Sequence, residues 1–140
     1  PTTVYAALIK PESLHGEFAT SATDFQTHNL SKFELFCDNR SLPGSVVNIS
    51  AENPVEPYTK FYRQCKLIPN VYATKLLSID EFFDTNFMIA YDMSNIDQCS
   101  GWLTATLDFA SNLSNKLILV VIMVYEKTIT FDQNRTVTVS

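Results

Sequence analysis

The sequence predicts an all-β fold, a β-sandwich with one or two short helices inserted. Segments rich in β-branched and aromatic residues recur with turn signals about every ten residues, which is typical of a sandwich or barrel. Helical signals are confined to two short stretches. The 140 residues are 46% hydrophobic, so residues 1–140 are expected to form a single domain with a proper core.

Alternation of apolar and polar residues is the main evidence for strands. Residues 102–109 alternate most clearly, and their odd-numbered side chains are expected to face the core while Thr104, Thr106 and Asp108 face solvent. In 32–37, Phe33, Leu35 and Cys37 share a face. The strands predicted by composition or alternation are 2–9, 32–37, 45–49, 87–91, 102–109, 117–125, 128–132 and 136–139.

Two stretches predict short helices. In 58–67, Tyr58, Phe61, Tyr62 and Cys65 recur at steps of three and four residues after Pro57, which suits the first turn of a helix. The aromatic stripe is expected to dock this helix onto the sheet; stacking of nucleobases or sugars is the less favoured alternative. Residues 78–83 begin with Ser78, followed three residues later by Glu81, the pattern of a capping box.

The net charge argues against nucleic-acid binding, and the length of the longest apolar run argues against a membrane span. The net charge is −5 and the ten basic residues are scattered, so direct binding to nucleic acid, which needs clustered Lys and Arg, is not expected. The longest apolar run, residues 117–125, is less than half of the roughly 20 residues that a helix needs to cross a membrane. No membrane span is therefore predicted.

No catalytic constellation is evident. His15 and His28 lie in a polar loop without the spacing of metal ligands and are expected to be surface residues. Asp80, Glu81 and Asp84 bunch their carboxylates at the start of a predicted helix, where they favour the helix dipole. With three glycines, no phosphate-binding loop can be written. We therefore expect no enzyme activity, no cofactor and no metal.

The cysteines do not form a recognisable framework. Cys37, Cys65 and Cys99 are odd in number and widely spaced, unlike a disulfide scaffold or a zinc site. They are expected to be reduced, unpaired and free of metal.

The run 117–125 is apolar on both faces of its predicted strand. A strand with one solvated face should alternate, and this one does not. One face is expected to join the core. The other would expose four aliphatic side chains, each contributing roughly 1.5–3 kcal/mol when buried, so it should be covered by the helix at 58–67 or by another domain or subunit. The residues predicted to form this interface are Ile118, Val120, Ile122 and Val124.

Read in order, several segments resemble one viral family. These segments are TVYAALIKPESLHGEF, KFELFCDNRSLPG, EPYTKFYRQCKL, SIDEFFDTNFMIAYDMSN and SGWLTATLDFASNLSNKLILVVIMVYEKTITFDQNRTVTV. Together they resemble the C-terminal jelly roll of double jelly-roll major capsid proteins of the polinton and adintovirus group and related integrated elements. The sequence departs from that family where ATDFQTH replaces an Asn-Pro-Phe-like element, and the resemblance covers only the family's C-terminal part.

The resemblance implies a fold, a function and partners. The fold would be a jelly roll, the C-terminal half of a longer capsid protein, and the function structural: self-assembly into capsomers. The partners would be a companion jelly roll and neighbouring capsid subunits in a pseudo-hexagonal capsomer, assembled inside the host cell and located in the virion. The alternatives are a ligand-binding β-sandwich for carbohydrate or a receptor, and a capsid-derived protein domesticated by a host.

Overall fold

The computed structural model describes residues 1–15, 21–50, 52–65, 77–94, 96 and 101–126, and the backbone of 129–131 and 137–139. Its strands are β1 (Thr3–Ile9), β2 (Leu30–Cys37), β3 (Arg40–Ser41), β4 (Val47–Asn48), β5 (Ile89–Asp92), β6 (Leu103–Phe109), β7 (Ile118–Val124), β8 (Ile129–Phe131) and β9 (Val137–Val139). Its helices are α1 (Pro11–Leu14), α2 (Val55–Gln64) and α3 (Ile79–Thr85).

The predicted elements are confirmed to within a few residues, with two additions. The single turn α1 and the two-residue strand β3 lie outside the predicted strands and helices. The two residues of β3 follow Asp38 and Asn39, which both have positive φ, at 50° and 63°. That geometry suits a tight hairpin and returns the chain along β2.

Two antiparallel sheets enclose a shared core, as in a β-sandwich. One sheet has the order β5-β1-β7; in the other, β6 pairs with one edge of β2, and β3 and β4 pair with the other edge. The core joins Val4, Ala6 and Leu8 of β1 to Phe33 and Leu35 of β2. β8 pairs with β9.

A bulge in β2 brings an extra apolar residue into the core. The register with β6 shifts between Leu30 and Lys32, so Leu30 and Phe33 are both buried although they are three residues apart. Beyond the bulge, Phe33, Leu35 and Cys37 are buried in alternation as predicted. On β6, Leu103, Ala105, Leu107 and Phe109 are half-buried and the residues between them exposed, which also confirms the prediction.

Helices α2 and α3 close one side of the sandwich through an aromatic cluster. α2 packs against β5, β4 and α3. Phe82 of α3 is fully buried and contacts the rings of Tyr58 and Phe61 of α2, with centroid distances of 5.5 and 5.3 Å. The ring of Phe87 lies 5.4 Å from Phe82. The aromatic stripe of α2 therefore docks the helix onto the core, as predicted.

The start of α3 carries the predicted capping box. The Ser78 hydroxyl accepts a hydrogen bond from the Glu81 amide at 3.2 Å, and the Glu81 carboxylate accepts one from the Ser78 amide at 2.9 Å. These bonds satisfy backbone donors that the first helical turn leaves without partners. The cap fixes the direction in which α3 enters the fold and so positions Phe82.

We expect Phe82→Ala to lower the free energy of unfolding by about 3–5 kcal/mol, because it leaves a cavity among four aromatic rings. Urea denaturation followed by circular dichroism measures this change. Val55→Ala, at a half-exposed position of α2, is the control and should change stability by about 0.5 kcal/mol or less. Equal effects of the two substitutions would contradict the central role of Phe82.

Candidate interaction surface

The register between β1 and β7 assigns each β7 side chain to a face of the sheet. Leu119 lies opposite Leu8, and Met123 lies opposite Val4. Opposed residues of an antiparallel pair share a face, and Leu8 and Val4 are core residues. The odd-numbered residues of β7 therefore belong to the core face and the even-numbered residues to the outer face, so Ile118, Val120, Ile122 and Val124 share one surface.

The two halves of β7 differ in burial. Ile118, Leu119 and Val120 are half-buried, whereas Val121, Ile122, Met123 and Val124 are 40–50% exposed. The expectation that one whole face joins the core is thus wrong for Val121, Met123 and the neighbouring Tyr125, which is 60% exposed. The second half of β7 is open to solvent on both faces.

The sequence left two candidates for covering the outer face of β7: the helix at 58–67, or another domain or subunit. The first is wrong, because helix α2 does not cover that face. Its main contacts are with β5 and β4, at the opposite edge of the sandwich. The C-terminal end of α2 reaches the outer face of β1, where Cys65 contacts the Tyr5 hydroxyl. Tyr5 lies opposite Ile122, which is nevertheless half-exposed. Within the described chain, the outer face of the C-terminal half of β7 therefore remains uncovered.

Both sheets end in an edge strand on the side away from α2. In the described part of the chain, β7 pairs only with β1, and β6 pairs only with β2. Residues 110–117 connect β6 to β7, so the start of β6 and the end of β7 both lie away from that connection. Trp102, which is 86% exposed, precedes β6 there, and Tyr125 follows β7. Exposed apolar groups therefore lie beside the edge strands of both sheets on this side.

The turn after β2 holds Trp102 in place. The Trp102 amide donates to the Asp38 carboxylate at 3.0 Å, and the Asp38 amide donates to the Trp102 carbonyl at 3.0 Å. A Cβ atom at Gly101 would lie 1.7 Å from Asp38 Oδ1, so only glycine allows this approach. The exposed indole is therefore attached to a fixed backbone.

The edge of β7 lacks the features that usually protect an edge strand. Natural edges carry charges, prolines or bulges that discourage pairing with another chain. β7, with the sequence ILVVIMV, has none of these, whereas β6 carries Asp108 on its exposed face. β7 is therefore an unprotected template for an additional strand.

The cysteine prediction is wrong for Cys37, which is disulfide-bonded. Cys65 is free, as predicted, and Cys99 lies outside the described residues. Burial raises the pKa of the Cys65 thiol, an effect partly offset by its hydrogen bond with Tyr5. A raised pKa lowers the thiolate fraction and with it the reactivity of Cys65.

A small polar cavity lies at the opposite end of the sandwich. It holds about 100 Å³ and is lined by Lys10, His28, Asn29 and the loop before β7. Contrary to the prediction of a surface histidine, His28 is half-buried, and its Nε2 is buried without a hydrogen-bond partner among the described residues. Burial and the nearby Lys10 ammonium lower the pKa of His28, and Asp24 partly opposes them.

A larger groove, of about 460 Å³, lies between α3 and the start of β2. Its lining is mainly apolar and includes Leu30, Ile49, Ile79 and Phe83, with the Asp80 carboxylate at its edge. The volume is within the range of pockets that bind small molecules. Ala110, just after the end of β6, also lines the groove. Trp102 lies at the other end of β6, so Trp102 and the groove are separated by about 25 Å along this strand.

The described residues show neither a metal-binding cluster nor a membrane-spanning helix. No three His, Cys, Asp or Glu side chains among them come together as a metal site. Asp80 and Glu81 lie in the first turn of α3, where Glu81 completes the cap. None of the described helices has the length and hydropathy to span a membrane.

Comparison with known proteins identifies no relative. A scan against protein-family models gives no match, and neither does a search of curated proteins or of solved structures.

We expect the chain to lose stability as pH falls from 8 to 5.5, in part through His28. Its lowered pKa keeps it neutral in the folded chain, so the unfolded chain takes up a proton first, near the ordinary value of about 6.5. The stability contribution is therefore present above that value and is lost as pH falls toward the folded pKa.

Urea denaturation across this pH range measures the loss. His28→Asn should reduce this loss of stability, because asparagine takes up no proton in this pH range. Asparagine also tolerates the positive φ of 50° at this position, so the variant should fold. His15→Asn, at an exposed position, is the control and should retain the wild-type pH dependence. An unchanged profile for His28→Asn would show that His28 does not contribute.

Proposed function

We propose that this chain is a jelly-roll domain of a viral major capsid protein, which assembles with other capsid subunits and catalyses nothing. The observation that carries the proposal is the second half of β7, which exposes apolar side chains on both faces at an unprotected edge. Leaving such a surface in water is unfavourable by roughly 25 cal/mol per Å² of apolar area. Exposed contiguous apolar patches of this kind mark interaction sites.

The proposed interface is formed by Ile118, Val120, Ile122 and Val124, which the register places on one surface. Its partners are a companion jelly roll and neighbouring subunits in a pseudo-hexagonal capsomer. The proposed location is the virion, with assembly inside the host cell. The Cys37 disulfide counts against assembly in a reducing compartment of the host cell, where thiols are kept reduced, although disulfides do persist at virion surfaces.

We expect Ile122→Asp to leave the fold intact and to abolish association. Ile122 is half-exposed in the single chain, so the carboxylate remains hydrated there, but in an assembled interface it would be buried without a partner at a cost of several kcal/mol. Circular dichroism measures folding, and sedimentation velocity with electron microscopy measures assembly.

Two further aspartate substitutions serve as controls. Leu119→Asp, on the core face of the same strand, should unfold the domain. Thr104→Asp, at an exposed position of β6, should change neither folding nor association. If Ile122→Asp is folded and associates as the wild type does, the assembly proposal fails.

A ligand-binding β-sandwich is the second candidate, and the exposure of Trp102 favours it. Exposed aromatic rings on a fixed backbone are suited to stacking on sugars, and the groove beside α3 has the volume of a ligand pocket. The distance of about 25 Å along β6 between Trp102 and the groove counts against one combined site.

Tryptophan fluorescence distinguishes this second candidate, because Trp102 is the only tryptophan. A binding module should show a saturable fluorescence change on titration with saccharides. Trp102→Ala has no tryptophan and is therefore assayed by calorimetry; it should lose the bound ligand while retaining its association state. Under the capsid proposal we expect no saturable change. A saturable response in the wild type would favour the binding module.

A further inference from the structure

We propose that β7 pairs with β7 of a second copy of this chain, antiparallel and about a two-fold axis that passes through Val121. The pairing would join two three-stranded sheets into one continuous sheet. This inference rests on the assembly role proposed for β7 but does not depend on whether the assembly is a capsid.

The edge of β7 is available for this pairing. Among the described residues, no strand pairs with β7 on the side away from β1. Its seven residues contain no charge, proline or bulge, and the backbone groups along such an edge accept another strand by ordinary ladder hydrogen bonds. A second β7 meets the same requirements, so the strand is complementary to itself.

The flanking charges select the register. Lys116 and Glu126 lie at equal distances before and after Val121 and are both exposed. In an antiparallel pair centred on Val121, Lys116 of each copy lies opposite Glu126 of the other, which gives two equivalent ion pairs. Centring the pair on Val120 instead would place Lys116 opposite the apolar Val124. The charges therefore favour the register through Val121.

The same register places the half-buried first half of β7 in one copy opposite the exposed second half of β7 in the other. Ile118 of one copy lies opposite Val124 of the other, and Val120 lies opposite Ile122. Each half-buried side chain thus meets one that is 40–50% exposed. Because the two-fold axis is perpendicular to the sheet, the outer face of one copy continues into the outer face of the other, as in an isologous interface. All four predicted interface residues lie within this paired surface.

Cysteine cross-linking tests the register directly. In a Cys65→Ser background, which removes the free thiol found among the described residues, Val121→Cys should oxidise to a covalent dimer, because residues on the axis face their own counterparts. Opposed Cα atoms in an antiparallel pair lie about 4.5–5.5 Å apart, within disulfide range. Non-reducing electrophoresis and mass spectrometry measure the product.

Val124→Cys in the same background is the matched control. Val124 has an exposure similar to that of Val121, but in the proposed register the two copies of residue 124 lie about 20 Å apart. It should remain monomeric on the gel. Equal cross-linking at both positions, or none at Val121, would overturn the proposed register.

Charge reversal tests the ion pairs with little risk to folding, because both residues are exposed. Lys116→Glu and Glu126→Lys should each weaken dimerisation about tenfold, since each change places like charges opposite one another at two equivalent contacts. The double variant restores opposite charges and should restore the wild-type dissociation constant. Glu52→Lys, exposed in the segment before α2, should have no effect. Sedimentation over a range of concentrations measures these constants.

The outcomes separate this inference from the proposed function. A chain that stays monomeric at all concentrations, or a double variant no better than the single variants, rejects the β7–β7 pair. Assembly into larger particles without cross-linking at Val121 would support the capsid proposal. It would also indicate that β7 contacts a strand other than β7 of a second copy. A cross-linked dimer that forms no larger particle would support the pairing and count against the capsid.

Discussion

The burial of β1 on both faces is the constraint on which the rest of the structure depends. Val4, Ala6 and Leu8 face the core, while Ala7 and Ile9 are buried on the outer face. A strand covered on both sides must lie in the interior of its sheet, and β1 accordingly pairs with β5 and with β7. Its register then determines which β7 side chains face outward, because a shift by one residue would exchange the two faces.

The sandwich is asymmetric because both longer helices lie on one side of it. α2 and α3 cover the β5 and β4 edges with interlocking aromatic rings. The described chain provides no comparable cover for the edges of β6 and β7. The exposed residues Val121, Met123 and Trp102 are the consequence. The same composition that gives a well-packed core on one side thus leaves a surface suited to association on the other.

Features that depend on neighbours in sequence were predictable, and features that depend on position in the sheet were not. Alternation located β6 and its buried face, and the spacing of Ser78 and Glu81 located the start of α3. Two-sided hydrophobicity suggested that β7 would be covered, but such a pattern describes an interior strand and an unpaired edge equally well. The burial of His28 and the Cys37 disulfide depend on contacts between distant segments, for which spacing along the chain gives no signal.

The pairing of β1 with β7 also has a kinetic consequence. Thr3 is the strand partner of Val124, so the central strand of this sheet cannot complete its ladder until nearly the whole described sequence has left the ribosome. Until then β1 presents two apolar faces to its surroundings. Folding dominated by such distant contacts is slow, and transiently exposed strands of this kind favour aggregation. Production of the domain should therefore be sensitive to the rate of synthesis and to the supply of chaperones.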